Sequence, residues 1–231
     1  MLNLSSRLSA VFDQVGLARA GLGPGRVIDV GSDHGQLAVA CLESDIASEV
    51  ICTDIHEGPA GRSRQALKDA GFEDRSCVFV TDGTDGIVLK PNDVVVIAGM
   101  GGLNIIDIVT RCISGVDEDL LRQVRFVIQP QKSINLVRKF FAERGFEFDD
   151  ETVCTDREIF YSIMRLSYSG MPYELGSYKE CYGVLLPEKE SLGDLLVKEY
   201  FAHLDEVFRI RSRSDEVVRQ ALEERERHED K

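Results

Sequence analysis

The sequence predicts an α/β fold: a mainly parallel sheet that ends in an antiparallel hairpin and is followed by a pair of helices. Three observations predict it. Short β-rich runs alternate with stretches of helical period, which implies parallel strands joined by helices. Two further β-rich runs then follow with no room for a helix between them, and beyond these apolar residues recur at helical spacing on both sides of a stop signal.

Element by element, the chain opens with a helix within residues 1–22, where Leu8, Val11, Phe12 and Val15 form one apolar face behind a cap at Ser5 or Ser6. RVIDV (26–30), EVICTDI (49–55), CVFVT (77–81), DVVVIAG (93–99) and VRFVIQ (124–129) read as strands. Leu37, Cys41 and Leu42, then Ala66, Leu67 and Ala70, then Ile105, Ile108 and Val109 mark the helices between them. Continuous apolar strands such as VVVIAG expect helices on both faces of the sheet. EFDDETVCT and EIFYSIMRL (147–166) form the antiparallel pair, and SYSGMPYELGSY (167–178) opens a linker. Past Pro187, Leu192, Leu195, Leu196, Tyr200, Leu204, Val207 and Phe208 make one helix, SRSDE (212–216) stops it, and Val217, Val218 and Leu222 begin the next. The domain division is 1–166, a linker at 167–186 and a helical hairpin of coiled-coil-like character at 187–231. This order is the outline of the class I methyltransferase fold, with its Rossmann-like sheet, although the outline alone does not fix function.

With 231 residues, 43% hydrophobic and 29% charged, the chain has the composition of a folded domain with a substantial core. MLNLSSRLSAVF lacks the continuous apolar stretch of a signal peptide and no run reaches transmembrane length, so a cytoplasmic protein without membrane contact is expected. The cysteines at 41, 52, 77, 112, 154 and 181 are scattered and form no Cys-x-x-Cys pair; they read as reduced core residues, with no metal site. A net charge of −13 opposes nucleic-acid binding unless cations gather on one face. Four groups offer that: Arg7 and Arg19; Arg62, Arg64 and Lys68; Lys132, Arg138 and Lys139; and Arg209, Arg211 and Arg213. The oligomeric state stays open, with a monomer preferred.

The chemistry concentrates at the ends of the predicted strands. DVGSDHG (29–35) has the strand, glycine turn and helix order of a nucleotide loop, with backbone amides facing a ligand. Asp29 and Asp33 within it would repel a pyrophosphate, whereas S-adenosylmethionine carries an ammonium and a sulfonium and no phosphate. Asp29, Gly31, Ser32 and His34 are therefore candidate cofactor residues. Asp54, followed by Ile55, ends the second strand where a carboxylate accepts ribose hydroxyl protons, and Asp82 and Gly83 end the third, near an adenine amino group. Gly99, Met100 and Gly101 end the fourth, where glycines let the backbone approach a flat ligand. Asp33 and His34 also suit a helix cap and a first-turn residue, and the glycines a tight turn.

LSSRL (4–8), DVGSDHGQL (29–37), DIHEGP (54–59), the Asp82-Gly83 pair, IAGMGG (97–102) and IQP (128–130) occur in the order and spacing of the bacterial TrmK family, which this chain resembles over residues 2–166. The resemblance implies a tRNA (adenine-N1)-methyltransferase acting at tRNA position 22, with S-adenosylmethionine as cofactor and tRNA as partner. The family usually has Glu at Asp54, Ala-Tyr at Gly35-Gln36, and Asn at Gln131. In such a reaction adenine N1 attacks the sulfonium methyl without prior deprotonation, the ring becomes cationic, and an anion beside it helps as charge develops. Asp33 is the catalytic candidate. Arg7, Gln129, Pro130, Tyr161, Arg209, Arg211 and Arg213 are the substrate candidates, Tyr161 as a stacking platform or else a core aromatic. Competing readings are a methyltransferase for another RNA, a protein or a small molecule, an NAD-binding module, and a non-catalytic interaction protein.

Overall fold

The structure is a computed structural model that describes residues 4–22 and 25–229. The outer domain limits, 1 and 231, lie outside the described residues. β1 (Gly25–Val30), β2 (Ala47–Asp54), β3 (Ser76–Val80), β4 (Val94–Gly101) and β5 (Arg125–Lys132) run parallel, and β6 (Phe146–Asp156) and β7 (Ile159–Tyr168) pair antiparallel. The sheet order is β3-β2-β1-β4-β5-β7-β6. Arg157 and Glu158, both at positive φ, make the two-residue turn of the hairpin. The chain leaves β1 on one side and returns to β4 on the other, so a crevice opens where the order reverses, at the carboxyl ends of the strands.

Strand residues alternate between two apolar layers, which explains the unbroken hydrophobic runs. Val27, Val94, Val96 and Val127 face α1 (Ser6–Arg19), α2 (Gln36–Glu43) and α3 (Glu57–Asp69), whereas Ile28, Val95, Ile97 and Ile128 face α4 (Gly102–Ile113) and α6 (Ile134–Glu143), with the short α5 (Glu118–Leu121) at the edge. The Ser5 hydroxyl accepts from the Leu8 amide at 3.3 Å and caps α1. Rather than a peripheral appendage, α1 is part of the sheet's cover, because Val11, Val15 and Ala18 are buried in the first layer.

The stretch expected as linker contains α7 (Ser177–Tyr182) and runs into α8 (Leu186–Ser191). Tyr182 is fully buried with Cys181 and Leu186 beneath α9 (Leu195–Arg211) and α10 (Glu216–Glu229). Asp194 caps α9, and Asp215, from the expected stop signal, accepts from the Val218 amide at 3.2 Å to start α10. The hairpin is present; its apolar side, including Tyr200, Phe201, Phe208 and Val218, packs on α7 and on Val153 of β6. The burial comes from one cluster within the chain.

Candidate active site

Two pockets meet at Gly31, just past the end of β1. The larger, about 440 Å³, is lined by Gly31, Thr53, Asp54, Ile55, Thr81, Asp82, Gly83, Met100, Asn104 and Asp107, with Val30 and Ile108 at its base. The smaller, about 110 Å³, is lined by Arg7, Leu8, Asp29, Gly31, Ser32, Asp33, His34, Gln36, Leu37 and Ala98. Gly31 has φ 72°, a left-handed conformation that favours glycine, and a Cβ there would displace the flexible end of Met100. The same holds at Gly83, φ 62°, where a Cβ would come within 2.9 Å of Ile108. Thr53 Oγ1 donates to the Gly83 carbonyl at 2.7 Å and ties the ends of β2 and β3 together.

The carboxylates differ sharply in their surroundings. Asp54 caps its own turn, accepting from the His56 amide at 3.0 Å, and otherwise faces the large cleft. Asp82 is held by Arg111, which also reaches Asp85 at 2.6 Å and Asp107 at 3.2 Å. Asp29 is buried, has no ion pair or side-chain hydrogen bond among the described residues, and desolvation pushes its carboxyl up to about 7. Asp33 is largely exposed, at φ 48°, a backbone conformation that Asp tolerates with strain. Its Oδ1 lies 2.5 Å from Arg62 of α3, and Oδ2 lies 3.5 Å from His34 Nε2. It does not cap α2, whose N-cap is Gly35.

The structure brings most of the candidates together and moves others. Gln129 is fully buried and behind the pocket: its Oε1 accepts from Arg7 at 2.9 Å and from the Gly99 amide at 3.1 Å, and its amide donates to the Pro130 carbonyl. Gln129 and Pro130 are both buried and line neither pocket, where the sequence reading expected substrate contacts, and Gln129 instead braces Arg7 and the β4 end. Gly99, φ 81°, borders Arg7 rather than the large cleft, and Gly101 lines neither pocket. Tyr161 turns toward Arg7, whose guanidinium carbon sits 5.7 Å from its ring centre, while its neighbour Phe160 packs on Tyr200 and His203.

The cations are less free than the sequence implies. Arg138 is fully buried against Glu151 at 2.8 Å and Arg19 is buried beside Gly25, so neither offers a charge to solvent. Arg62, Arg64 and Lys68 each face an acid, Asp33, Glu57 and Glu73. Arg209 and Arg213 are exposed without an ion pair among the described residues, and Arg211 pairs with Asp215 at 3.2 Å.

Residues 4–164, carrying both pockets, match the family model described as a methyltransferase domain. The chain belongs to the methyltransferase-domain family. It is 30% identical over 154 residues to a Mycoplasma genitalium protein with the provisional name tRNA methyltransferase MG248, and the match spans 66% of each chain. It is 26% identical over 199 residues to the Bacillus subtilis tRNA (adenine(22)-N(1))-methyltransferase, covering 86% of this chain and 76% of that relative. The solved structure of M. capricolum TrmK, in complex with the cofactor product S-adenosyl-homocysteine, has the same fold, with a TM-score of 0.70 at 16% identity over 97% of this chain and 94% of that one. The Bacillus relative bears out the family resemblance drawn from the motifs, and the solved structure bears out the fold.

In this methyltransferase domain, Asn104 and Asp107 of α4 and Thr81 join the large cleft without having been singled out from sequence. The signal was there: two polar side chains three apart, on one face of a helix that follows a glycine-rich strand end. Among the described residues no group of His, Cys, Asp and Glu is arranged to hold a metal, and no helix is long and apolar enough to cross a membrane.

Proposed function

We propose that the chain is an S-adenosylmethionine-dependent tRNA methyltransferase, working in the cytoplasm on N1 of the adenine at tRNA position 22. One observation carries this reading: an acid-lined cleft meets, at Gly31, a small pocket with Asp33 and Arg7 at its mouth. Among the described residues no Lys or Arg lines the larger cleft, and Arg111 beside it is taken up by Asp82, Asp85 and Asp107, which suits a ligand without phosphate and opposes a dinucleotide. The names of the Mycoplasma and Bacillus relatives support the same activity and substrate.

Asp54 fits the ribose hydroxyls, the Gly83 turn with Ile55 and Thr81 the adenine ring, and Asp29 the ammonium of the methionine end. When bound, S-adenosylmethionine supplies an electrophilic methyl on sulfur. The chain's own residues do the rest: Asp33 orients the target's amino group and stabilises the ring as it becomes cationic, while Arg7, braced by Gln129 and flanked by Tyr161, holds the nucleotide in place. The base must leave its stack to reach them, at about a few kcal/mol. Residues 1–166 carry this chemistry, and residues 187–231 add a grip on tRNA through Arg209 and Arg213.

The test is incubation of the full chain with S-adenosylmethionine and an unmodified tRNA transcript, with the product digested and mapped by mass spectrometry. One methyl on adenine at position 22 is expected. Absence of methyl, or a methyl on another position, overturns the proposal. Reversing the charge of Arg209 and Arg213 should weaken tRNA binding and leave S-adenosyl-homocysteine binding intact.

A further inference from the structure

Between the carboxyl end of β5 and the helical hairpin lies a third pocket, about 180 Å³, that none of the preceding chemistry uses. Its rim is polar and cationic, with Gln131, Lys132 and Asn135 on one side and His203 and Arg211 on the other. Its floor is apolar, with Leu204 beside the buried rings of Tyr200 and Phe208. Ser133, at φ 55°, turns the chain so that the start of α6 closes one wall.

The volume falls below the ~300 Å³ at the lower end for drug-sized ligands, and fits a single flat ring system. Amides beside aromatic rings offer edge hydrogen bonds and stacking, and the two cations sit where a sugar-phosphate chain would enter. An apolar peptide side chain would leave the amides and cations unused, and a free phosphate would leave the aromatic floor unused. The place is equally telling. Gln131 Nε2 lies 3.8 Å, and an Arg7 guanidinium nitrogen 3.3 Å, from the point where a Cβ on Gly99 would stand, so Gln131 and Arg7 flank the same glycine from the two pockets.

We propose that this pocket takes one unpaired nucleobase of the RNA, adjacent in the strand to the methylated adenine, so that the hairpin and the methyltransferase domain read two neighbouring nucleotides together. The inference rests on the tRNA reading above and names a subsite for it. His203 is the stacking wall, Gln131 and Asn135 read the base edge, and Lys132 meets the flanking phosphate, joined by Arg211 when it exchanges Asp215 for the RNA.

The experiment uses the full chain and tRNA transcripts with an abasic nucleotide at either neighbour of the position 22 adenine. The wild type should bind one of these about tenfold more weakly than intact tRNA, the loss of a single stacked base. Leu204→Phe, which fills the pocket, should bind intact tRNA about tenfold more weakly, lose the discrimination against the abasic transcript, and keep wild-type affinity for S-adenosyl-homocysteine. His203→Ala, at an exposed position, should repeat the loss of discrimination and decides the matter if Leu204→Phe misfolds. Equal wild-type binding of intact and both abasic transcripts, or full discrimination retained in the variants, overturns the pocket assignment alone. A wild type that neither binds nor methylates intact tRNA overturns the tRNA reading, and the subsite with it.

Discussion

Asp29 and Glu151 are both buried carboxylates, 5% and 0% exposed, and the fold treats them in opposite ways. Glu151 is saturated: Oε1 accepts from Arg138 at 2.8 Å and from Ser162 at 3.4 Å, and Oε2 accepts from the amides of Val184 at 2.7 Å and Leu185 at 3.2 Å. Arg138 in turn donates to the carbonyls of Glu180 and Cys181, so one ion pair fastens β6 and α6 to the chain that enters the C-terminal helices. Asp29 has no such partner among the described residues, although it stands at the end of the central strand and borders a pocket. A buried charge satisfied by its own fold is architecture; one left without a cation points to a cation that arrives with a ligand.

The comparison can be broken most forcefully at Glu151. Glu151→Gln leaves Arg138 buried without a counter-charge and should destabilise the chain by about 3–5 kcal/mol, read from the midpoint of urea unfolding. A loss below about 1 kcal/mol would remove the contrast. Next comes Asp33: Asp33→Ala should slow methyl transfer by about 100-fold or more while S-adenosyl-homocysteine affinity stays within about twofold, as expected of a group that acts on developing charge. Asp54→Ala should raise the dissociation constant for S-adenosyl-homocysteine by about tenfold or more, the loss of charge-assisted hydrogen bonds worth about 1.5–3 kcal/mol. Unchanged affinity would hand the ribose to Asn104 or Asp107.

The smallest effect is a slope. Burial raises the Asp29 carboxyl from 3.8 to about 7, so the folded chain holds that proton where the unfolded chain has released it. This contribution to stability is complete below about pH 4 and is lost as pH rises through 7, at up to about 1.4 kcal/mol per pH unit. Asp29→Asn should flatten that part of the stability profile, measured by urea unfolding from pH 4 to 8, and should leave the chain no less stable than wild type at pH 8.

The strands and the antiparallel end of the sheet were legible because apolar runs such as VVVIAG admit little else and two β-rich runs follow with no room for a helix between them, and Asp29, Asp54 and Asp82 because acids at successive strand ends stand out against them. The partners of Gln129 were not legible: a polar residue at a strand end reads as a ligand contact, and only the third dimension shows its amide engaged by Arg7, Gly99 and Pro130. Arg138 misled because its partner Glu151 lies across a strand boundary, although its place between Val137 and Phe141 on the apolar face of α6 was a signal of burial. The tie between Asp33 and Arg62 depends on how α2 and α3 pack, and no local spacing encodes it.

The claim that Asp29 awaits a ligand cation is tested most directly by titration calorimetry of S-adenosyl-homocysteine, repeated in buffers of different ionisation enthalpy. Burial holds the Asp29 proton well above the usual carboxylate range, so binding of the ammonium should release a fraction of a proton per site near pH 7, more at pH 6, and none in Asp29→Asn. Binding that releases no proton in the wild type, or releases the same amount in Asp29→Asn, would contradict it.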